Sequence, residues 1–291
     1  MSDIAMSPEL RDRVVGCCPG LRIEGIMHRS DKAVVLTGML ADLAVVAKIL
    51  LDTDTFWQTK FAAEIDTYRA FMRVPPPVPA PKLVAADPGA GVLITTRLAG
   101  ALVSRDRYPT LTSTEAAPLL QAAEALQTWT VADETLPIVW DYPHRFRRYR
   151  ADYGLLTRQD EEALLRLTEV AGPVRPGHGD LLPANVLHTG NALTGVLDWE
   201  FTGRFLRGID AALLWILLGA VPQARERAEQ LGGSGIADRA SFWVNVATLC
   251  VRELRTHGEL SPGPLRQQRL AHLETTWTAA RGRFHELARQ L

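Results

Sequence analysis

The octapeptide His178-Gly-Asp-Leu-Leu-Pro-Ala-Asn185 sets a carboxylate, Asp180, and an amide, Asn185, five residues apart in a loop bracketed by Gly177, Gly179 and Pro183. A second carboxylate, Asp198, closes the stretch Leu193-Thr-Gly-Val-Leu-Asp198, which follows Asn185-Val-Leu-His188 across the dipeptide Gly190-Asn191. Such a dipeptide suits the tight primed turn of a hairpin. With that turn at the centre, Asn185 pairs with Val196, and Asp198 is its diagonal neighbour on the same face, Cα atoms ~7–8 Å apart. Two oxygen ligands at that separation can chelate one hard cation, and magnesium takes few protein ligands while leaving positions for phosphate oxygens. Asp180 has no obligatory metal role and can accept a hydroxyl proton. A base for an attacking oxygen and metal charge over phosphates are the parts that phosphoryl transfer needs. Taken singly, each residue has a plainer reading, since Asn and Asp also cap turns.

The elements that must hold these residues come in two textures. Leu21–Met27, Ala33–Leu40 and Leu43–Leu51 are short apolar stretches broken by polar turns, which predicts a strand meander. Thr55-Phe-Trp-Gln58 has the capping-box form, and Trp57, Phe61, Ile65, Tyr68 and Met72 recur at helical spacing. The proline run Val74–Pro81 must stop that helix. Lys82–Ala86 and Val92–Thr96 flank Asp87-Pro-Gly-Ala-Gly91, which predicts a hairpin turn and not a dinucleotide loop, because no third glycine or helix follows. Beyond Leu98 the pattern is helical: Ser113–Thr130, Tyr142–Tyr153, Arg158–Val170, Ile209–Leu218, Ala224–Leu231, Ile236–His257 and Leu265–Gln290, interrupted by one β-like stretch at 185–198. The expectation is an α+β chain with a mostly β N-terminal lobe carrying one helix over residues 1–97, and a larger helical lobe over 98–291.

Bulk properties narrow the partners. A formal net charge of −1 over 291 residues offers nothing to a polyanion such as nucleic acid. Three cysteines, two of them adjacent, make no disulfide framework and fit a reducing cytoplasm. The opening Met-Ser-Asp-Ile-Ala-Met lacks the form of a secretory signal. The longest apolar run, Ala211–Val221, is too short to span a bilayer, so no membrane is expected. The lysines, Lys32, Lys48, Lys60 and Lys82, all fall in the first hundred residues. That bias has a bland source in arginine-rich codon usage, yet Lys48 interrupts an apolar strand.

Together, His178–Asn185 and Val196-Leu-Asp-Trp-Glu200 resemble the catalytic loop and metal-binding aspartate of the aminoglycoside phosphotransferase family, the small-molecule branch of the protein-kinase-like fold. The resemblance spans the chain in outline and is tight around 177–200. It implies a bilobal protein-kinase-like fold, with Asp180 as catalytic base, Asn185 and Asp198 as ligands of Mg2+ (or Mn2+), and His178 as a scaffold residue. It further implies that Lys48, in Ala44-Val-Val-Ala-Lys-Ile-Leu50, contacts the phosphates of ATP or GTP, with Glu64 as its helix partner. Adenine-edge hydrogen bonds would come from the backbone of Thr96 and Leu98, with Thr95 behind the base. The turn Met27-His-Arg-Ser-Asp-Lys32 lacks the glycine-rich phosphate cover of protein kinases. A polar turn can still offer N–H groups to phosphate, with Ser30 as the contact.

The expected activity is transfer of the γ-phosphoryl group to a hydroxyl of a small molecule. The acceptor would be an antibiotic of aminoglycoside, macrolide or nucleoside type, inactivated as a resistance mechanism, or else a metabolic alcohol or sugar. Two other classes stand beside it. His178 and His188 with Asp180 and Asp198 could serve a two-metal phosphoesterase, and the bare phosphate turn could belong to a non-catalytic nucleotide binder. A polycationic acceptor would favour an acidic pocket, whereas the helical part is nearly charge-balanced and holds the basic run His144-Arg-Phe-Arg-Arg-Tyr-Arg150.

Overall fold

Alternating burial along consecutive strands builds the N-terminal sheet. The computed structural model describes residues 7–132 and 134–291, so the opening six residues, read above for a leader, lie outside the described residues. The chain folds as two compact units, Met1–Ala99 with Gly195–Phe201, and Gly100–Thr194 with Thr202–Leu291.

In the first unit, helix α1 (Pro8–Cys17) starts where the Ser7 side chain accepts from the Leu10 N–H and proline occupies the first turn. The sequence reading placed no helix here, although Ser-Pro-Glu is a start signal. Strands β1 (Leu21–Arg29), β2 (Ala33–Leu40), β3 (Leu43–Leu50), β4 (Leu83–Asp87) and β5 (Val92–Thr96) form an antiparallel sheet in the order β1-β2-β3-β5-β4. Val45, Ala47 and Ile49 of β3 join Val34, Leu36, Val92, Ile94 and the α1 residues Leu10 and Val14 in one core. The period of two then puts Lys48 on the opposite face. The 87–91 segment is a turn: Ala90 donates its N–H to Asp87 Oδ1 (2.9 Å), and Gly91 adopts φ +62°. A Cβ on Gly91 would come within 2.8 Å of Arg13, whose guanidinium donates to Ala90 and Leu50 and ties α1 to the sheet.

Helix α2 (Thr55–Phe71) buries Phe61, Glu64, Ile65, Thr67, Tyr68 and Ala70. Its cap is Asp54, which accepts from the Phe56 N–H at 2.7 Å; Gln58 donates to the Thr53 carbonyl. This corrects the capping box expected at Thr55, because a carboxylate one residue earlier outcompetes the threonine hydroxyl for the free N–H groups.

The second unit contains β6 (Ala101–Leu102), α3 (Ser113–Leu126), α4 (Tyr142–Ala151), α5 (Arg158–Val170), β7 (Val174–Gly177), β8 (Val186–Thr189), most of β9 (Ala192–Val196), β10 (Gly203–Leu206), α6 (Ile209–Leu217), α7 (Pro222–Leu231), α8 (Ile236–Gly258) and α9 (Pro264–Arg289). β6, β8 and β9 form one small sheet, and β7 pairs antiparallel with β10 in another. Every residue of α6 is buried. Among the described residues no helix is long and apolar enough to cross a membrane. The basic run of α4 is absorbed locally: Arg145 stacks on Trp140 and donates to Tyr149, Arg148 pairs with Asp152, and Arg150 pairs with Glu161 on α5.

Candidate active site

The sequence-predicted side chains gather in two clusters, one in each unit. In the first, β3 supplies Lys48, α2 supplies Glu64, and the returning segment 195–201 supplies Asp198 and Glu200. Lys48 Nζ lies 2.8 Å from Glu64 Oε2, 2.8 Å from Asp198 Oδ1 and 3.2 Å from Glu200 Oε2. Glu64 is the most enclosed, at 3% side-chain exposure, and Asp198 the most open, at 40%. Burial works against the lysine's charge, but Glu64, Asp198 and Glu200 outweigh it and hold the ammonium well above its ordinary pKa. Burial pushes Glu64 up to about 7 against the pull of Lys48, and Asp198 adds to the push. Three carboxylates thus share one ammonium. Their oxygens lie within 4.8 Å of one another, the one such acidic group among the described residues. A hard, oxygen-only donor set with excess negative charge fits Mg2+.

The segment bearing Asp198 is fixed by Trp199, fully buried, whose indole N–H donates to the Val196 carbonyl at 3.0 Å and whose ring meets Phe71 of α2 edge-on. Asp198 itself adopts φ +61°, a left-handed conformation uncommon for a residue with a side chain. It therefore lies beyond β9 and not on a strand ladder. Asn185 departs from the expected register too. It ends a 3₁₀ turn, Pro183–Asn185, before β8 begins, and its N–H reaches the Leu182 carbonyl at 2.9 Å. The strand pairing inferred for Asn185 and Asp198 is thus replaced by a proline-nucleated turn on one side and a left-handed residue on the other. The hairpin turn at Gly190-Asn191 does form, with Gly190 at φ +59°.

In the second unit the loop 178–185 hangs on a residue that sequence reading passed over. Asp210, in the first turn of α6, accepts from the N–H groups of His178 and Gly179, both at 2.9 Å. Burial pushes the Asp210 carboxyl up, and His178 and these two amides pull it back. Gly177 allows the approach, since a Cβ there would sit 2.4 Å from Ile209 and 3.2 Å from Asp210. His178 is fully buried and its Nδ1 accepts from the Asp180 N–H at 3.3 Å. Asn185 Nδ2 donates to the Asp180 carbonyl at 3.0 Å, which closes the loop.

The Asp180 side chain faces two arginines. Arg252 Nη2 donates to Asp180 Oδ1 at 3.0 Å, and Arg107 Nη2 stands 3.8 Å from the same oxygen. Both arginines are gripped by Glu253: Arg107 through two parallel bonds of 2.7 and 2.8 Å, Arg252 through one of 3.2 Å. Burial opposes the charge of Glu253, but a hydrogen bond with His257 and the two guanidinium charges hold its carboxyl well below the ordinary range. An acid in the middle of an apolar helix, Leu249-Cys-Val-Arg-Glu253, was the available signal for this group.

The remaining candidates sit around the N-terminal sheet. Thr96 ends β5, and its hydroxyl accepts from the Lys82 N–H at 2.9 Å. Leu98 follows in a segment outside any strand, and Thr95 is buried against β3. Ser30 closes the β1–β2 turn, its hydroxyl accepting from the N–H groups of Lys32 and Ala33 and donating to the Ala33 carbonyl.

Residues 48–242 match the model of the phosphotransferase enzyme family. Among solved structures, the GDP complex of wild-type aminoglycoside 2'-phosphotransferase-IIIa is similar at TM-score 0.66 and 14% identity, over 94% of this chain and 99% of that one. The streptomycin–ATP–APH(2'')-IIa ternary complex is similar at TM-score 0.61 and 12% identity, over 95% and 99%. A thermostable mutant of aminoglycoside phosphotransferase APH(4)-Ia with AMP-PNP and hygromycin B is similar at TM-score 0.58 and 14% identity, over 97% and 98%. No curated protein matches. At these identities the likeness establishes the α+β, kinase-like fold.

Proposed function

Because the chain belongs to the phosphotransferase enzyme family, we propose that it moves the γ-phosphoryl group of ATP or GTP to a hydroxyl of a small molecule with Asp180 as the base. The observation that carries this reading is the lysine cluster. An ammonium held charged by Glu64, Asp198 and Glu200 is suited to phosphate oxygens, and the Asp198 side chain is the most exposed of the three. When bound, Mg2+ supplies positive charge over the phosphates; Asp198 and Asn185 are the residues proposed to hold it. Asp180, oriented by the loop bonds to Asp210 and by Arg252, takes the acceptor's proton. Thr96 and Leu98 are proposed to meet the base edge through their backbone, and Ser30 to offer a turn to phosphate.

Antibiotic acceptors of aminoglycoside, macrolide or nucleoside type, with resistance as the outcome, form the first set to test, and metabolic alcohols or sugars the second. Unpaired cysteines at 17, 18 and 250 support a reducing cytoplasm as the setting. The test is an assay that follows nucleoside diphosphate release and mass gain on the acceptor together. Asp180→Asn is expected to lower turnover by ~100-fold or more while nucleotide binding persists, the usual contribution of a positioned base. A loss of only a few-fold removes Asp180 from that role. Full activity in excess chelator, or stimulation specific to zinc, favours a phosphoesterase instead.

A further inference from the structure

Resting on the reading of Asp180 as the residue that meets the acceptor hydroxyl, we propose that the acceptor carries an anionic group, a carboxylate or a phosphate ester, received by Arg107 and Arg252. The argument starts from where the charges point. Glu253 is 2% exposed at its side chain, and its oxygens take both arms of Arg107, the Tyr108 hydroxyl at 2.9 Å and Arg252. Its oxygens are therefore spent on protein donors and do not meet solvent. The groups that reach solvent are Arg107 at 22%, Arg252 at 17% and Asp180 at 14%. At the solvent-reaching face two guanidiniums therefore stand beside one carboxylate, with the balancing charge of Glu253 beneath them.

The donors left over match the same chemistry. Arg107 Nη1 and Arg252 Nε meet no protein acceptor among the described residues, while their neighbouring nitrogens are bonded to Glu253, Asp180 and the Gly179 carbonyl. Arg107, anchored along its Nε–Nη2 edge by Glu253, keeps Nη1 pre-oriented for a carboxylate or phosphate oxygen, and Arg252 adds its Nε–H. The anchoring is costly in itself, because buried ion pairs seldom stabilise a fold better than apolar packing would. A buried acid holding two arginines at the base is therefore explained by what they bind. A polycationic acceptor meets the reverse arrangement: it would have to reach an Asp180 oxygen that already holds one guanidinium at 3.0 Å and has another at 3.8 Å.

Calorimetric titration of the full chain, with Mg2+ and AMP-PNP present, tests this with four probes: glucuronate, glucose 6-phosphate, glucose and kanamycin. At least one of the two anionic sugars is expected to bind about tenfold or more tightly than glucose, with kanamycin weakest. Arg252→Gln is expected to bring the anionic sugars to the level of glucose, and Arg252→Lys, which keeps the charge without the planar fork, to recover part of the difference. The two anions separate a carboxylate site from a phosphate-ester site. Equal binding of glucose and both anions, absence of binding included, overturns the proposal, as does preference for kanamycin. Unfolding curves of both variants guard against a fold defect, the lysine variant serving where the glutamine variant melts early. ADP release from ATP, compared between wild type and Asp180→Asn, isolates the underlying reading. Anion preference without Asp180-dependent release leaves the arginine site standing and removes the phosphotransferase role.

Discussion

At the scale of single residues, the first-unit cluster is a competition of three acids for one base. Lys48→Ala is expected to lower kcat/KM on the order of 100-fold or more, since one preorganised donor to developing charge commonly contributes that much. Lys48→Arg should not restore it, because a planar fork does not replace a compact ammonium. Glu64→Ala should cost less alone and add little to Lys48→Ala, as residues that act as a unit are non-additive; steady-state kinetics of the double-mutant cycle checks this. Asp210→Asn makes a second test. The amide has one acceptor oxygen where the carboxylate serves two N–H groups, so one buried donor loses its partner. The expected penalty is ~1–3 kcal/mol in urea unfolding, with lower turnover from a loosened loop. The pairing of Lys48 with Glu64 was implied by the family resemblance, with a lysine interrupting an apolar strand and a glutamate bordering an apolar helix stripe in support, and the two side chains do meet at 2.8 Å. Glu200, Asp210, Arg107 and Arg252 were not legible in sequence. Each acquires its role from a partner brought near only by tertiary folding, 152 residues away for Glu200 and Lys48.

Among elements, the longest helices were legible within a few residues because their apolar period repeats over many turns. Four-residue strands such as β7 and β10 offer no such repetition, and β7 includes a proline. The docking of α5 on α9 shows how a polar device supports such packing. Asp160 accepts from Thr157 in a capping box, from Arg281 Nε at 2.7 Å, and lies 2.7 Å from His285 Nε2. Burial opposes its charge, but the bonds from Thr157, His285 and Arg281 outweigh that and lower its pKa. A carboxyl lowered in the folded state contributes stability that is fully present above its unfolded value near pH ~4 and fades as pH falls through the lower folded value. Asp160→Ala is therefore expected to cost ~1–3 kcal/mol at pH 7, with the gap in melting temperature between variant and wild type narrowing below pH ~4. A gap that stays constant across that range would assign the loss to packing alone.

For the whole molecule, the excess of carboxylates around Lys48 predicts linkage to metal and nucleotide. Mg2+ with AMP-PNP at 100 times Kd should raise the apparent stability by about 2.7 kcal/mol, read as a higher calorimetric Tm. Asp198→Ala should abolish most of that rise while leaving the melting of the unliganded chain nearly unchanged, since its side chain is 40% exposed. The division into units has a temporal consequence as well. Residues 195–201 belong with the first hundred, so the N-terminal unit is not complete when its own sheet has emerged from the ribosome. Lys48 must wait for an aspartate 150 positions downstream. At 5–20 residues per second of synthesis, that delay is roughly 8–30 s, during which Glu64 is the only one of its three carboxylate partners yet made. A nascent chain stalled before residue 195 would carry Lys48 without Asp198 or Glu200, and a gene split near residue 100 would separate the sheet from two of the lysine's three acids for good.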